Sequence, residues 1–211
     1  MKKLLYVLLL FIIVPGYAQI KISTGMGIDV VHTSSLEDYI NDNFYDPKNE
    51  MNSFNKSLSL FGEVDYSISD KYQLGVEFNY SYFLHNSDLH ANYELVYSVY
   101  KPSLIGYYVL PGDGYEIKFG AGLGYRYVSL EERIYSRDEY SSSGVGILAK
   151  AVGNTGLGDN FYGYISFDIR YDYLGEPEGD SGKITNASND EVLNLNKFSV
   201  GIKLGVSYFF E

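Results

Sequence analysis

The 211-residue chain has no cysteine and no tryptophan, only three histidines, and far fewer basic than acidic side chains. Without cysteine there is no disulfide, no Cys-x-x-Cys pair and no acylated N-terminal cysteine. Lys and Arg number 16 against 27 Asp and Glu, which argues against a nucleic-acid partner, because phosphate binding needs basic surface. Beyond residues 4–14 no apolar run approaches the roughly 18 residues that a membrane-spanning helix needs. No phosphate loop, dinucleotide fingerprint or His-Glu-x-x-His motif is present, so no cofactor or metal is expected.

The N-terminus reads as a signal peptide over residues 1–18. Met1-Lys2-Lys3 is a basic start, residues 4–14 are wholly apolar, and Pro15-Gly16-Tyr17-Ala18 follows, with the expected cut after Ala18. Without Lys2 and Lys3, 14 bases face 27 acids, so the exported chain (19–211) stands near −13. Tyr is 23, Phe 12 and Gly 22, a composition that suits a barrel ringed by aromatics.

The dominant pattern is alternation. At 197–210, Phe198, Val200, Ile202, Leu204, Val206, Tyr208 and Phe210 alternate with Ser199, Gly201, Lys203, Gly205 and Ser207. Strand side chains alternate faces, so one face is apolar and the other small or polar. The same pattern occurs over about 20–32, 57–68, 72–85, 93–110, 115–130, 143–153 and 161–174, which makes eight strands. Lys101-Pro102-Ser103 interrupts the fourth, where a bulge or register change is expected, because proline cannot donate to the ladder. Residues 33–56 read as a polar segment that could hold a short helical turn but shows no clear helical period, and 131–142 as a charged loop. Turns after strands two, four and six are short; those after one, three, five and seven are long or polar.

Only helices and closed sheets keep backbone polar groups paired in lipid. The alternation predicts an all-β, eight-stranded antiparallel up-and-down transmembrane β-barrel with short periplasmic turns. By parity the inward charges are Asp29, Glu63, Asp65, Glu77, Glu94, Glu116, Asp168 and Asp172 against Lys21, Lys118, Arg126, Lys150, Arg170 and Lys203. In a barrel of this size side chains can fill the lumen. The near balance of signs predicts a closed ionic network with no open pore.

The signal peptide ending in Ala-Gln, the eight strands, the segments K-P-S-L-I-G-Y-Y (101–108) and F-G-A-G-L-G-Y (119–125), and the terminal G-V-S-Y-F-F resemble the small bacterial outer-membrane β-barrels, the OmpA/OmpX-like "porin family" of Gram-negative bacteria. The resemblance covers 19–211. It implies an outer-membrane location, contact with lipid and lipopolysaccharide, and insertion by the assembly machinery through the terminal aromatics Tyr208 and Phe210. Glu211 departs from the pattern by following the last aromatic. The family implies no single activity. A structural or surface-interaction role with acidic extracellular loops is the leading expectation.

Two other roles stand beside it. His85-Asn86-Ser87 has an H-x-S spacing similar to that of the lipid A 3-O-deacylase barrels. That resemblance implies His85 activating Ser87, oriented by Glu94 or Glu77; the plainer reading is a polar loop edge. A narrow channel would need one sign of lumen charge or small residues throughout. The acidic stretch 42–46 lacks the ligand spacing and turn glycine of a calcium loop.

Overall fold

The computed structural model describes residues 19–44, 55–87, 93–133, 137–180, 182–186 and 191–210. The expected signal peptide therefore lies outside the described residues, as do Asp46, Glu50, His90 and Glu211. Eight long strands form one antiparallel ring: β1 (Ile20–His32), β2 (Asn55–Ser69), β3 (Tyr72–Ser87), β4 (Tyr93–Gly112), β5 (Tyr115–Arg133), β6 (Arg137–Gly158), β7 (Phe161–Leu174) and β10 (Lys197–Phe209). Each pairs with its neighbour in sequence. β1 pairs with β10, and the β5–β6 pairing completes the circuit. No free edge remains in the ring at mid-height. Two short strands, β8 (Glu178–Gly179) and β9 (Gly182–Lys183), add a small hairpin on the outer end of β6. A helix, α1 (Ser34–Asn43), follows β1.

The outer surface explains the alternation. Ile28, Leu60, Val76, Leu104, Leu123, Ile147, Ile165 and Ile202 are all exposed. Aromatic rings bound this belt at both ends: Tyr72, Tyr108, Tyr115, Phe161 and Phe210 below, Tyr82, Tyr100, Tyr127, Tyr171 and Phe198 above. Tyr72 to Tyr82 is roughly 33 Å of strand at about 3.3 Å per residue, or about 25 Å of height at a tilt near 40°. That matches the apolar band of an outer-membrane barrel. No helix among the described residues is long and apolar enough to cross a membrane; the strands cross instead.

Three expectations need correction. First, Pro102 causes no register change. Tyr100↔Tyr127 and Ser103↔Gly124 flank a gap in a single register, and the β3 ladder runs through Phe78↔Pro102. The missing N–H removes a rung without shifting the strand. Second, the described residues of 131–142 are strand: β5 reaches Arg133 and β6 starts at Arg137. Third, the polar segment after β1 holds α1. Its buried residues Leu36, Tyr39 and Ile40 stand at i, i+3 and i+4, a helical spacing masked by its polar neighbours.

Candidate functional site: lumen and cap

The inward positions of the ring carry most of the chemistry. Buried ionisable side chains among the described residues are Asp29, Glu63, Asp65, Glu77, Glu116, Glu132, Asp168 and Asp172, with Lys21, Lys101, Lys118, Arg126, Lys150, Arg170, Lys197 and Lys203. At the periplasmic end Lys21 pairs with Glu116, which also accepts from Gln73 Nε2 at 3.3 Å. Ser207 Oγ donates to Asn154 Oδ1 at 2.9 Å and lies 2.8 Å from Ser23 Oγ. Phe209 stacks on Tyr162 with centroids 3.9 Å apart.

Above this tier runs a chain of charges alternating in sign. Asp65 pairs with Lys118, and Lys118 lies 3.5 Å from Glu63. Glu63 pairs with Lys150 and accepts from Tyr107 Oη at 2.8 Å. Lys150 reaches Glu77 at 2.6 Å, and Glu77 accepts from Arg170 at 2.8 Å. Arg170 holds Asp168 at 2.6 Å, and Asp168 pairs with Lys203. Lys203 lies 3.5 Å from Asp29, which closes the chain on Lys101 at 3.3 Å. Burying charge is tolerable only when it is paired and hydrogen-bonded in this way. Glycines make the room: the Arg126–Asp172 pair lies over Gly146, and Asp29 and Asp168 lie over Gly201. A second filler is apolar: Phe61, Ile105, Tyr107, Val109, Leu148, Val152 and Tyr164 cluster in the lumen.

Above the upper aromatic ring the filling changes. Leu95, Tyr97 and Val99 of β4, Val128 and Leu130 of β5 and Leu174 of β7 bury an apolar core against Leu36, Tyr39 and Ile40 of α1 and Ile184, Leu193 and Leu195 of the return to β10. The cap is tied at several points. Tyr39 Oη donates to Glu132 at 2.8 Å, Asn43 Nδ2 to Asn186 Oδ1 at 3.0 Å, and the Asn194 N–H to Ser35 Oγ at 2.9 Å. Burial, with the Glu132 carboxylate beside it, holds the Tyr39 phenol well above its ordinary range.

Outside, the extramembrane walls of β4, β5 and β6 carry an ion ladder. Arg133 reaches Glu94 at 3.3 Å and Glu131 at 2.5 Å; Arg137 reaches Glu131 at 2.7 Å and Glu139 at 3.0 Å. Glu94, assigned to the lumen by parity, is part of this ladder and faces outward. The other expected lumen residues (Glu63, Asp65, Glu77, Glu116, Lys118, Arg126, Lys150, Asp168, Arg170, Asp172 and Lys203) are buried in the interior. Parity assumed lipid outside β4 at every height. Above the bilayer the outside is water and the inside is the cap core, so the apolar face turns inward.

Of the weak catalytic trio, His85 and Glu94 stand on opposite faces of the wall. His85 is partly buried and stands opposite Leu95 in the β3–β4 register, on the lumen face, with its ring 6.5 Å from that of Phe83. Glu94 stands opposite Asn86 on the other face, and Glu77 is engaged by Lys150 and Arg170. Ser87 ends β3. Sequence reading missed Lys101 and Lys197. The signal for Lys101 was the outward run Tyr100, Leu104, Tyr108, Leu110, which places it inward without a break. At the closing strand, Tyr208 and Phe210 lie edge to face at 4.7 Å, and Phe210 is exposed toward lipid.

No protein-family model matches the chain, and no curated protein matches it in sequence. Solved structures do match in shape. Neisserial surface protein A is 15% identical, with TM-score 0.53 over 92% of this chain and 100% of that one. Ail, the attachment invasion locus protein of Yersinia pestis, is 12% identical with TM-score 0.58 at the same coverage. A major outer membrane protein from Thermus thermophilus is 14% identical with TM-score 0.54, again at that coverage. At such identities the likeness is one of architecture. With the charge-free outer belt it leads to one conclusion: the chain has the fold of the small eight-stranded outer-membrane β-barrels, and the bacterial outer membrane is the bilayer this fold occupies.

Proposed function

We propose that this protein is a non-conducting barrel that acts from its extracellular end, as a structural or surface-interaction protein. The observation that carries the reading is the filling of the lumen, by alternating ion pairs at mid-height and by a dry core under α1 above. An ion entering from outside meets the cap first and then side chains already committed to one another. Planar-bilayer recording with the purified protein tests this. The expected result is a flat trace; steady steps of porin size refute the reading.

The outer rim carries an excess of acid, part of it engaged in the ion ladder and in the cap. Glu37, Asp38, Asp42, Glu94, Glu131, Asp138, Glu139, Glu176, Glu178, Asp180 and Glu191 are set against Lys56, Arg133, Arg137 and Lys183. Such a face attracts cations and basic surfaces and repels polyanions. Ail has been solved with the heparin analogue sucrose octasulfate; the acid excess here favours the opposite preference, retention on a polylysine matrix and none on heparin. Within the same reading, residues 1–18 are removed on export, so mass spectrometry finds a mature N-terminus at Gln19. Tyr208 and Phe210 mark the closing strand for the assembly machinery, so Phe210→Ala accumulates unassembled protein in the periplasm.

A further inference from the structure

The chain of charges from Asp65 to Lys101 matches carboxylate to cation one for one. The cluster above it does not. Arg126 and Lys197 share a single carboxylate, Asp172. Arg126 Nε takes Asp172 Oδ1 at 2.5 Å. Lys197 Nζ lies 3.8 Å from Asp172 Oδ2, outside hydrogen-bond reach, and 5.0 Å over the Tyr97 ring. The Lys197 side chain is 2% exposed, so water supplies little of what the carboxylate does not. Among the described residues this tier holds two basic side chains against one carboxylate, and a buried ammonium so placed is costly: it gives up its proton or gains an anion.

Beside this cluster, under α1, is a cavity of about 20 Å³ lined by Thr33, Ser57, Phe83, Tyr97 and Lys197, among others. Its polar lining is mixed: Ser57 Oγ donates to the Tyr82 carbonyl at 3.0 Å. The Tyr97 hydroxyl is buried without a hydrogen-bond partner. Thr33 is buried at the N-cap of α1, yet its side chain makes no capping bond. The N-terminus of α1 adds partial positive charge. A space of this size holds one water-sized particle.

We propose that this cavity binds one small monovalent anion of the halide class, with Lys197 as counter-ion and the Tyr97 hydroxyl as donor. A halide only accepts hydrogen bonds, which suits the Tyr97 hydroxyl and a protonated Lys197, although Asp172 Oδ2, also buried without a hydrogen-bond partner, lies 3.8 Å from Lys197 Nζ and competes for it. Its single charge holds Lys197 protonated beside Arg126 and Asp172. Its walls Phe83 and Leu36 exclude larger, more strongly hydrated anions. The site does not depend on the barrel being non-conducting: failure of that reading appears as conductance, failure of this one as a missing halide.

The test uses the refolded full barrel in detergent. Thermal unfolding is followed in sodium bromide, sodium chloride and, at equal ionic strength, sodium gluconate. The expected result is a saturable rise in midpoint with either halide and none with gluconate, lost in Lys197→Met. Crystals grown in bromide should show an anomalous peak in the cavity beside Lys197. A cavity without anomalous density, occupied by water alone, overturns the proposal. So does equal halide dependence in Lys197→Met and wild type. If Lys197→Met does not fold, Tyr97→Phe replaces it, with reduced halide dependence expected and unchanged dependence overturning the assignment.

Discussion

The interior of this barrel is built in two ways. At mid-height it is ionic, with Glu77 between Lys150 and Arg170 and Asp168 between Arg170 and Lys203. Above the upper aromatic ring it is a dry core of Leu95, Val99, Val128, Leu130 and Ile40. The strands are the same; only the medium outside differs. Where lipid is outside, apolar side chains go out and charges are paired within, beside the apolar filler of Ile105, Val109, Leu148 and Val152. Where water is outside, as around Glu94, Arg133 and Arg137, the arrangement reverts to that of an ordinary soluble domain. One strand, β4, carries both solutions in one unbroken alternation. Its inward residues change from Lys101 to Val99, Tyr97 and Leu95 as it leaves the bilayer.

Mutations in the two zones should fail differently. The largest effect is expected for Glu77→Leu, which leaves Lys150 and Arg170 short of a carboxylate and should cost about 3–5 kcal/mol. Urea unfolding of the protein in micelles measures it, and a loss below about 1 kcal/mol would mean the mid-height pairs are loose. Next is Leu130→Ala in the upper core, expected to cost roughly 2–4 kcal/mol through its cavity. Its distinguishing mark is faster proteolysis within 34–43, which Glu77→Leu should leave alone.

Smaller again is Tyr39→Phe, which leaves the buried Glu132 without that donor and should cost about 1–3 kcal/mol. It also tests the pH response. The phenol is raised in the folded cap by burial and by Glu132, so its contribution is complete below the unfolded value near 10 and lost as pH rises beyond it. The wild-type midpoint should therefore fall more steeply than that of Tyr39→Phe above about pH 10. The smallest effect belongs to Arg133→Gln in the exposed ladder, below about 1 kcal/mol and vanishing at high salt.

These zones also explain what could be read from the residues. The ring was legible because Ile165, Phe167 and Ile169 against Ser166, Asp168 and Arg170 leave one arrangement in lipid. Glu94 was misplaced because alternation gives two faces and does not say which medium each meets. Lys101 was missed because a proline suggested a break that the intact β3 ladder overrides. α1 was hidden because its few apolar residues sit in a polar stretch and gain their meaning only from the β4–β5 wall they cover. Nothing local pairs Glu77 with Arg170: the partners are 93 residues apart and meet only when the ring closes.

The unequal strand lengths have a consequence for neighbours in the membrane. β7 stops at Leu174 and β10 begins at Lys197, while β5 and β6 continue to Arg133 and Arg137. The rim is therefore stepped, high over one arc and low over the other. A molecule approaching sideways meets a charged palisade from one compass direction and the flank of the helical lid from the opposite one. The barrel has a front and a back, and rotation about its own axis changes what it offers.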